Sequence, residues 1–178
     1  MSKTILRLAA VLAIGFAGAC ASSRTLSGSV NDIGADAELK AMLFADRQYD
    51  YSDVDLTVYD GRLMLTGSML SEDGRKKLVQ DAWKADGVTQ VIDEIKIDDH
   101  TKFGQGFEDS RIDQTIRTKF VASGNVRSSN YKIAVSKGVV YLLGVARDEK
   151  ELNEALEISR SVAGVEAVVS HVVYRKMQ

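Results

Sequence analysis

Three side chains in this sequence are of the kind that do chemistry near neutral pH: Cys20, the single cysteine, and two histidines, His100 and His171. A lone thiol forms no disulfide within its own chain. Neither histidine stands at ligand spacing from the other or from the cysteine, so the pattern lacks a metal set. Asp98-Asp99-His100 does place three ligand-type side chains in a row, but inside "DDHTKFGQGFE", a stretch that reads as a solvated linker. His171 falls in the middle of a predicted strand. Gly104 and Gly106 are too sparse to cradle a phosphate and do not open from a strand. No nucleophile is matched with a base, so no catalytic residue, metal or cofactor is expected and the chain reads as a non-enzyme.

Cys20 has another use. Lys3 and Arg7 form a short basic region, residues 8–19 are twelve residues without a charge, and Ala17, Gly18 and Ala19 lead up to the cysteine. Crossing a bilayer takes about 20 apolar residues, so this run is too short for a permanent helix and reads as an export signal. "AGAC" resembles the lipobox of bacterial lipoproteins, with Ala17 where Leu is more usual. The resemblance implies removal of residues 1–19 and acyl chains, palmitate among them, on Cys20. Several chains anchor firmly, because each buried methylene contributes about 0.8 kcal/mol. Ala21 after the cysteine, in place of Asp, implies the outer membrane by the sorting rule of such lipoproteins, with the protein facing the periplasm.

Behind the cysteine, residues 21–32 are small and polar and suit a flexible tether, so that 20–32 form the lipidated cysteine and its tether. The remainder is ordinary for a folded chain, 45% hydrophobic and 27% charged, and it repeats itself. An offset of 144 − 67 = 77 pairs Gly67 with Gly144, Gly61 with Gly138, Leu65 with Leu142, Val58 with Val135, Glu72 with Glu149, Gly87 with Gly164 and Val91 with Val168. No gap is needed, which marks a duplication. Each copy opens with a helical pattern: Leu39, Leu43 and Phe44 within 35–46, then Ile112, Ile116 and Phe120. Two alternating runs around Asp60-Gly61, and around Lys137-Gly138, form a hairpin. A second helix follows at 72–86 and at 148–162, with Ser71 and Asp148 as caps and Gly87 and Gly164 as left-handed terminators. A last strand, 91–97 and 168–174, should lie parallel to a neighbour after its helical crossover.

These αββαβ units, with "G-x-x-x-L-x-G" (Gly61, Leu65, Gly67; Gly138, Leu142, Gly144) and "Gly-Val-x-x-Val", resemble the BON domain family of bacterial envelope proteins. The expected fold is α+β: two tandem domains at 33–99 and 108–175, joined by a linker at 100–107. Each would be a three-stranded mixed sheet with two helices packed on one face. A lipobox followed by two such domains resembles a group of outer-membrane lipoproteins, which implies anionic phospholipid binding and a role in envelope integrity.

Net charge over the whole chain is −2, and no nucleic-acid partner is expected. The halves differ. Residues 33–99 hold 8 basic and 15 acidic side chains, 8 − 15 = −7; residues 108–178 hold 11 and 9, 11 − 9 = +2. Within 111–137, Arg111, Arg117, Lys119, Arg127, Lys132 and Lys137 stand against Asp113 alone. Each basic residue near an anionic bilayer contributes about 1 kcal/mol, so Arg111, Arg117, Lys119 and Arg127, with Phe107 just before the helix, are the expected phospholipid-binding set. The outward sheet faces differ too: Arg62, Met64, Thr66, Ile92, Glu94 and Lys96 in the first copy, against Val139, Tyr141, Leu143, Val169, His171 and Val173 in the second. So apolar a face needs a cover. The first domain fits that role, and so does self-association. A third use of the face is to dock an envelope protein, which would make the chain an interaction scaffold.

Overall fold

The computed structural model describes residues 37–42, 45–98 and 105–175; the export segment, Cys20, the tether, Leu43, Phe44 and His100 lie outside the described residues. The first unit runs α1 (helical at 37–42), β1 (Val54–Tyr59), β2 (Arg62–Met69), α2 (Glu72–Ala82), β3 (Gln90–Asp93) and the short β4 (Lys96–Ile97). The second runs α3 (Gln105–Ser123), a 3-10 turn (Ser128–Asn130), β5 (Tyr131–Ser136), β6 (Val139–Ala146), α4 (Glu149–Arg160) and β7 (Ala167–Tyr174). β1 pairs antiparallel with β2, and β3 lies parallel to β2. β5, β6 and β7 repeat that order and sense. Both crossovers are therefore βαβ units, and the two tandem αββαβ domains are present.

Local chemistry explains the boundaries. Asp60 and Gly61 have φ of 53° and 74°, and Lys137 and Gly138 have 51° and 76°. Positive φ at both central residues is the type I′ turn that matches strand twist. A lysine is strained there, and Asp109 of α3 holds the turn by accepting the N–H groups of Lys137 (2.8 Å) and Gly138 (2.9 Å). The Ser71 hydroxyl caps α2 by accepting the Gly74 N–H, and Asp148 caps α4 by accepting that of Glu151. Helices α2 and α4 end sooner than the apolar pattern suggests, with Trp83 and Ser161 as the C-caps. Gly87 and Gly164, at φ of 78° and 94°, close the turns that follow rather than the helices themselves. Helix α3 begins at Gln105, so 100–107 is not wholly linker and Phe107 lies in a helical turn rather than ahead of one. That turn buries little, which is why apolar periodicity does not register it.

Strand alternation gives each sheet two buried faces, one toward its own helices and one toward the other domain. Leu63, Leu65 and Val58 of the first sheet, with Ile95 from the break between β3 and β4, pack under α1 and α2 with Leu39, Leu78 and Ala82. Ile133, Val140 and Leu142 of the second pack under α3 and α4 with Ile112, Ile116, Phe120 and Ala155. The opposite faces meet each other. Tyr59, Met64 and Ile92 form one buried cluster with Ala134, Tyr141 and Leu143, bordered by Val139, Val145 and Val169. The layers therefore run helices, sheet, sheet, helices. The first domain is what covers the apolar face of the second, which leaves Tyr141 and Leu143 at 1% and 0% exposure and out of a foreign partner's reach; Val173, at 44%, lies outside this core.

Polar contacts fix the register of that interface. His171 Nε2 lies 2.7 Å from Glu94 Oε1, and these are equivalent positions of the two copies, 171 − 94 = 77. Equivalent positions of the two copies therefore meet at this point of the domain interface. Arg62 donates to the His171 carbonyl (2.8 Å) and to Gln90 Oε1 (2.8 Å), while its third nitrogen, Nη1, is buried with no hydrogen-bond partner. Lys137 reaches Asp98 at 2.6 Å across the interface.

Candidate functional site

Helix α3 is the element on which the basic residues depend. Ile112, Ile116 and Phe120 face inward at 1%, 0% and 1% exposure, while Phe107 and Val121 stand out at 75% and 69%. Their separation, 121 − 107 = 14 residues, is close to four turns. They therefore share the outer side of the helix, about 21 Å apart along its axis. Arg111 follows Phe107 by one turn and Arg117 precedes Val121 by one turn, so each exposed apolar side chain has a guanidinium beside it.

These cations are less free than the charge count suggests. Arg111 pairs with Glu108 (3.0 Å) and reaches the Ala163 carbonyl (3.3 Å). Arg117 makes a two-pronged contact with Asp113 (2.7 and 2.8 Å) and donates to the Ile133 carbonyl (3.0 Å). Lys119 donates to the Ser161 hydroxyl at 3.1 Å. Arg111 and Lys119 thus lean toward the end of α4, and Arg117 leans the opposite way, toward β5. Arg127 is exposed in the loop beyond α3, where its backbone N–H is held by the buried Glu151 (2.8 Å). The five residues expected to bind phospholipid form a line flanked on both sides, not one cluster. Sequence reasoning missed Val121; its place four turns from Phe107, on the side away from Ile116, was the available signal.

Beside Arg117 a cleft of about 530 Å³ opens between the domains, with Asp53, Asp55, Asp109 and Asp113 among its lining. Four carboxylates against one guanidinium make it a poor place for an anion, so any anionic partner meets α3 from outside. Among the described residues no group of His, Cys, Asp and Glu is arranged to hold a metal, and no helix is long and apolar enough to cross a membrane. Asp98 is engaged by Lys137 and His171 by Glu94, which ties both to the domain interface.

Several known proteins are similar. An uncharacterized protein of Anaplasma centrale is 39% identical over 123 residues, 68% of this chain and 82% of that one. The 21 kDa hemolysin of Actinobacillus pleuropneumoniae is 27% identical, over 80% of this chain and 69% of its own. Outer membrane lipoprotein DolP of Haemophilus influenzae is 26% identical, over 78% and 67%. Residues 31–99 and 108–176 each match the BON domain, the two stretches that fold here as αββαβ. The chain belongs to the BON domain family, and carries two copies of its domain.

Proposed function

We propose that the chain is a non-enzymatic protein of the bacterial envelope, anchored by lipid at Cys20, whose second BON domain docks on anionic phospholipid and helps keep the outer membrane intact. The carrying observation is the outer side of α3, where Phe107 and Val121 are exposed with Arg111 and Arg117 one turn from each. Apolar side chains at both ends of a cationic helix face suit the boundary between headgroups and acyl chains. The similarity to a protein named as an outer membrane lipoprotein supports the location.

The test is co-sedimentation of residues 21–178 with phosphatidylglycerol or with neutral vesicles. Phe107→Glu with Val121→Glu, and separately Lys119→Glu, are suitable variants because these side chains project from the surface. Arg111 and Arg117 are not, since each also holds a backbone carbonyl. Wild-type protein is expected to bind the anionic vesicles, and reversing Lys119, a change of two charge units at about 1 kcal/mol each, to weaken binding roughly thirtyfold. Equal binding to both vesicles, or full binding by the double variant, would overturn the reading.

A further inference from the structure

The last strand of each copy is a sheet edge, and the two edges are built differently. In the first domain it is broken into Gln90–Asp93 and Lys96–Ile97, with Asp93, Glu94 and Lys96 along it. Asp93 also takes the Ile95 N–H at 3.1 Å, inside the break. A short, interrupted, charged edge resists further pairing. In the second domain β7 is an uninterrupted eight-residue strand, Ala-Val-Val-Ser-His-Val-Val-Tyr, with neither Asp, Glu, Lys, Arg nor Pro. It pairs with β6 on one side, and among the described residues no strand lies on the other. None of its eight residues is buried, whereas β6 beside it is buried along most of its length. The Arg175 N–H donates to the Ala146 carbonyl (2.9 Å). Counting back by twos, residues 173, 171 and 169 face β6, and the backbone groups of 168, 170, 172 and 174 point outward. A strand this apolar, long and regular is a template for another.

We infer that β7 pairs antiparallel with β7 of a second copy of this chain, joining two three-stranded sheets into one of six strands. Two features select a second copy. Centred on Ser170, an antiparallel pair sets Val168 of each chain across from Val172 of the other and Val169 across from His171, so branched side chains meet along the join. The strand is also bracketed by Glu166 and Arg175. Antiparallel pairing brings the acidic end of one copy to the basic end of the other, whereas parallel pairing sets like charges together. Such a contact is isologous and closes at a dimer. It is independent of the phospholipid reading, because α3 takes no part in this edge; the cross-linking rests on the proposed envelope location, and the sedimentation measurement does not.

Cross-linking of the full chain in the bacterial envelope tests this. Ser170→Cys is oxidised in intact cells and compared with Asn153→Cys on α4 and with the unsubstituted chain, whose one cysteine is Cys20. The expected result is a band at twice the 19.4 kDa chain mass, or slightly below once the signal is removed, for Ser170→Cys and not for either control. In parallel, Ser170→Lys sets two ammonium groups together at the centre of the join, and in sedimentation equilibrium should weaken self-association about tenfold or more. An unchanged melting temperature will show that this exposed substitution leaves the fold intact, and Ser170→Thr should associate like wild type. No dimer band above the controls, a cross-link to some other protein, or equal association by Ser170→Lys would each overturn the inference. The second of these would assign the edge to a foreign strand.

Discussion

Single residues here do their work where backbone groups would otherwise lack partners. Asp148 is a clear case: its carboxylate accepts the Glu151 N–H at 2.8 Å and takes Arg147 at 3.0 Å. The Glu151 N–H and then Arg147 hold its carboxyl below the usual carboxylate range. A lowered folded-state value means the contribution is present at neutral pH and is lost as pH falls through that value. Asp148→Ala should therefore lower the melting temperature by a few degrees at pH 7. The gap between variant and wild type should narrow on acidification below the ordinary carboxylate range. Thermal denaturation across a pH series checks this, and a gap that stayed constant into strong acid would contradict the assignment. Glu151, itself buried, accepts the N–H groups of Arg127 and Arg147 and so ties the loop after α3 to the start of α4.

Between elements, the "L-x-G" signature acquires a physical reason. Gly67 and Gly144 sit where the entry to the first strand of each hairpin crosses the second, at φ of 109° and 152°. A Cβ on Gly144 would fall 2.0 Å from the Asn130 carbonyl oxygen, and one on Gly67 1.8 Å from that of Asp53. The obstacle is backbone in both cases, so no side-chain rotation relieves it. Gly144→Ala should cost about 3 kcal/mol or more, in a urea titration of unfolding. Gly106→Ala is the contrast: the added methyl has nothing within 4 Å and lies in a helix, so it should stabilise by up to about 1 kcal/mol. Equal effects from the two would show that the crossing is looser than its geometry.

At the scale of the molecule, the two domains share a core that neither completes alone. Burying Tyr141 and Leu143 against Met64 and Ile92 is worth about 1.5–3 kcal/mol per side chain, and the Arg62, Glu94, His171 and Lys137 contacts orient it. The domains should therefore unfold as one cooperative unit. Leu143→Asp places an unpaired carboxylate in that core while sparing the clusters under the helices. Scanning calorimetry should then resolve two transitions in place of one, with an increased radius of gyration in solution scattering. A single transition in the variant would mean that the sheet-to-sheet contact contributes little to cooperativity.

The sequence by itself determined what depends on neighbours along the chain. The duplication at an offset of 77, both hairpin turns, both helix N-caps and the parallel last strand were legible, because periodicity, turn chemistry and capping act over a few residues. It also marked the second copy's sheet face as too apolar for water. Only the tertiary structure decided that the first domain is the cover, since a pattern states how much surface must be hidden and not which surface hides it. The same holds for charge. A run of cations around α3 reads as a patch until Glu108, Asp113, Asp98 and the carbonyls of Ala163 and Ile133 are placed beside it. Glu108 and Asp113 are a helical turn away, but Asp98 lies across the domain boundary and the two carbonyls are 52 and 16 residues from the arginines that reach them, where spacing along the chain no longer measures distance in space.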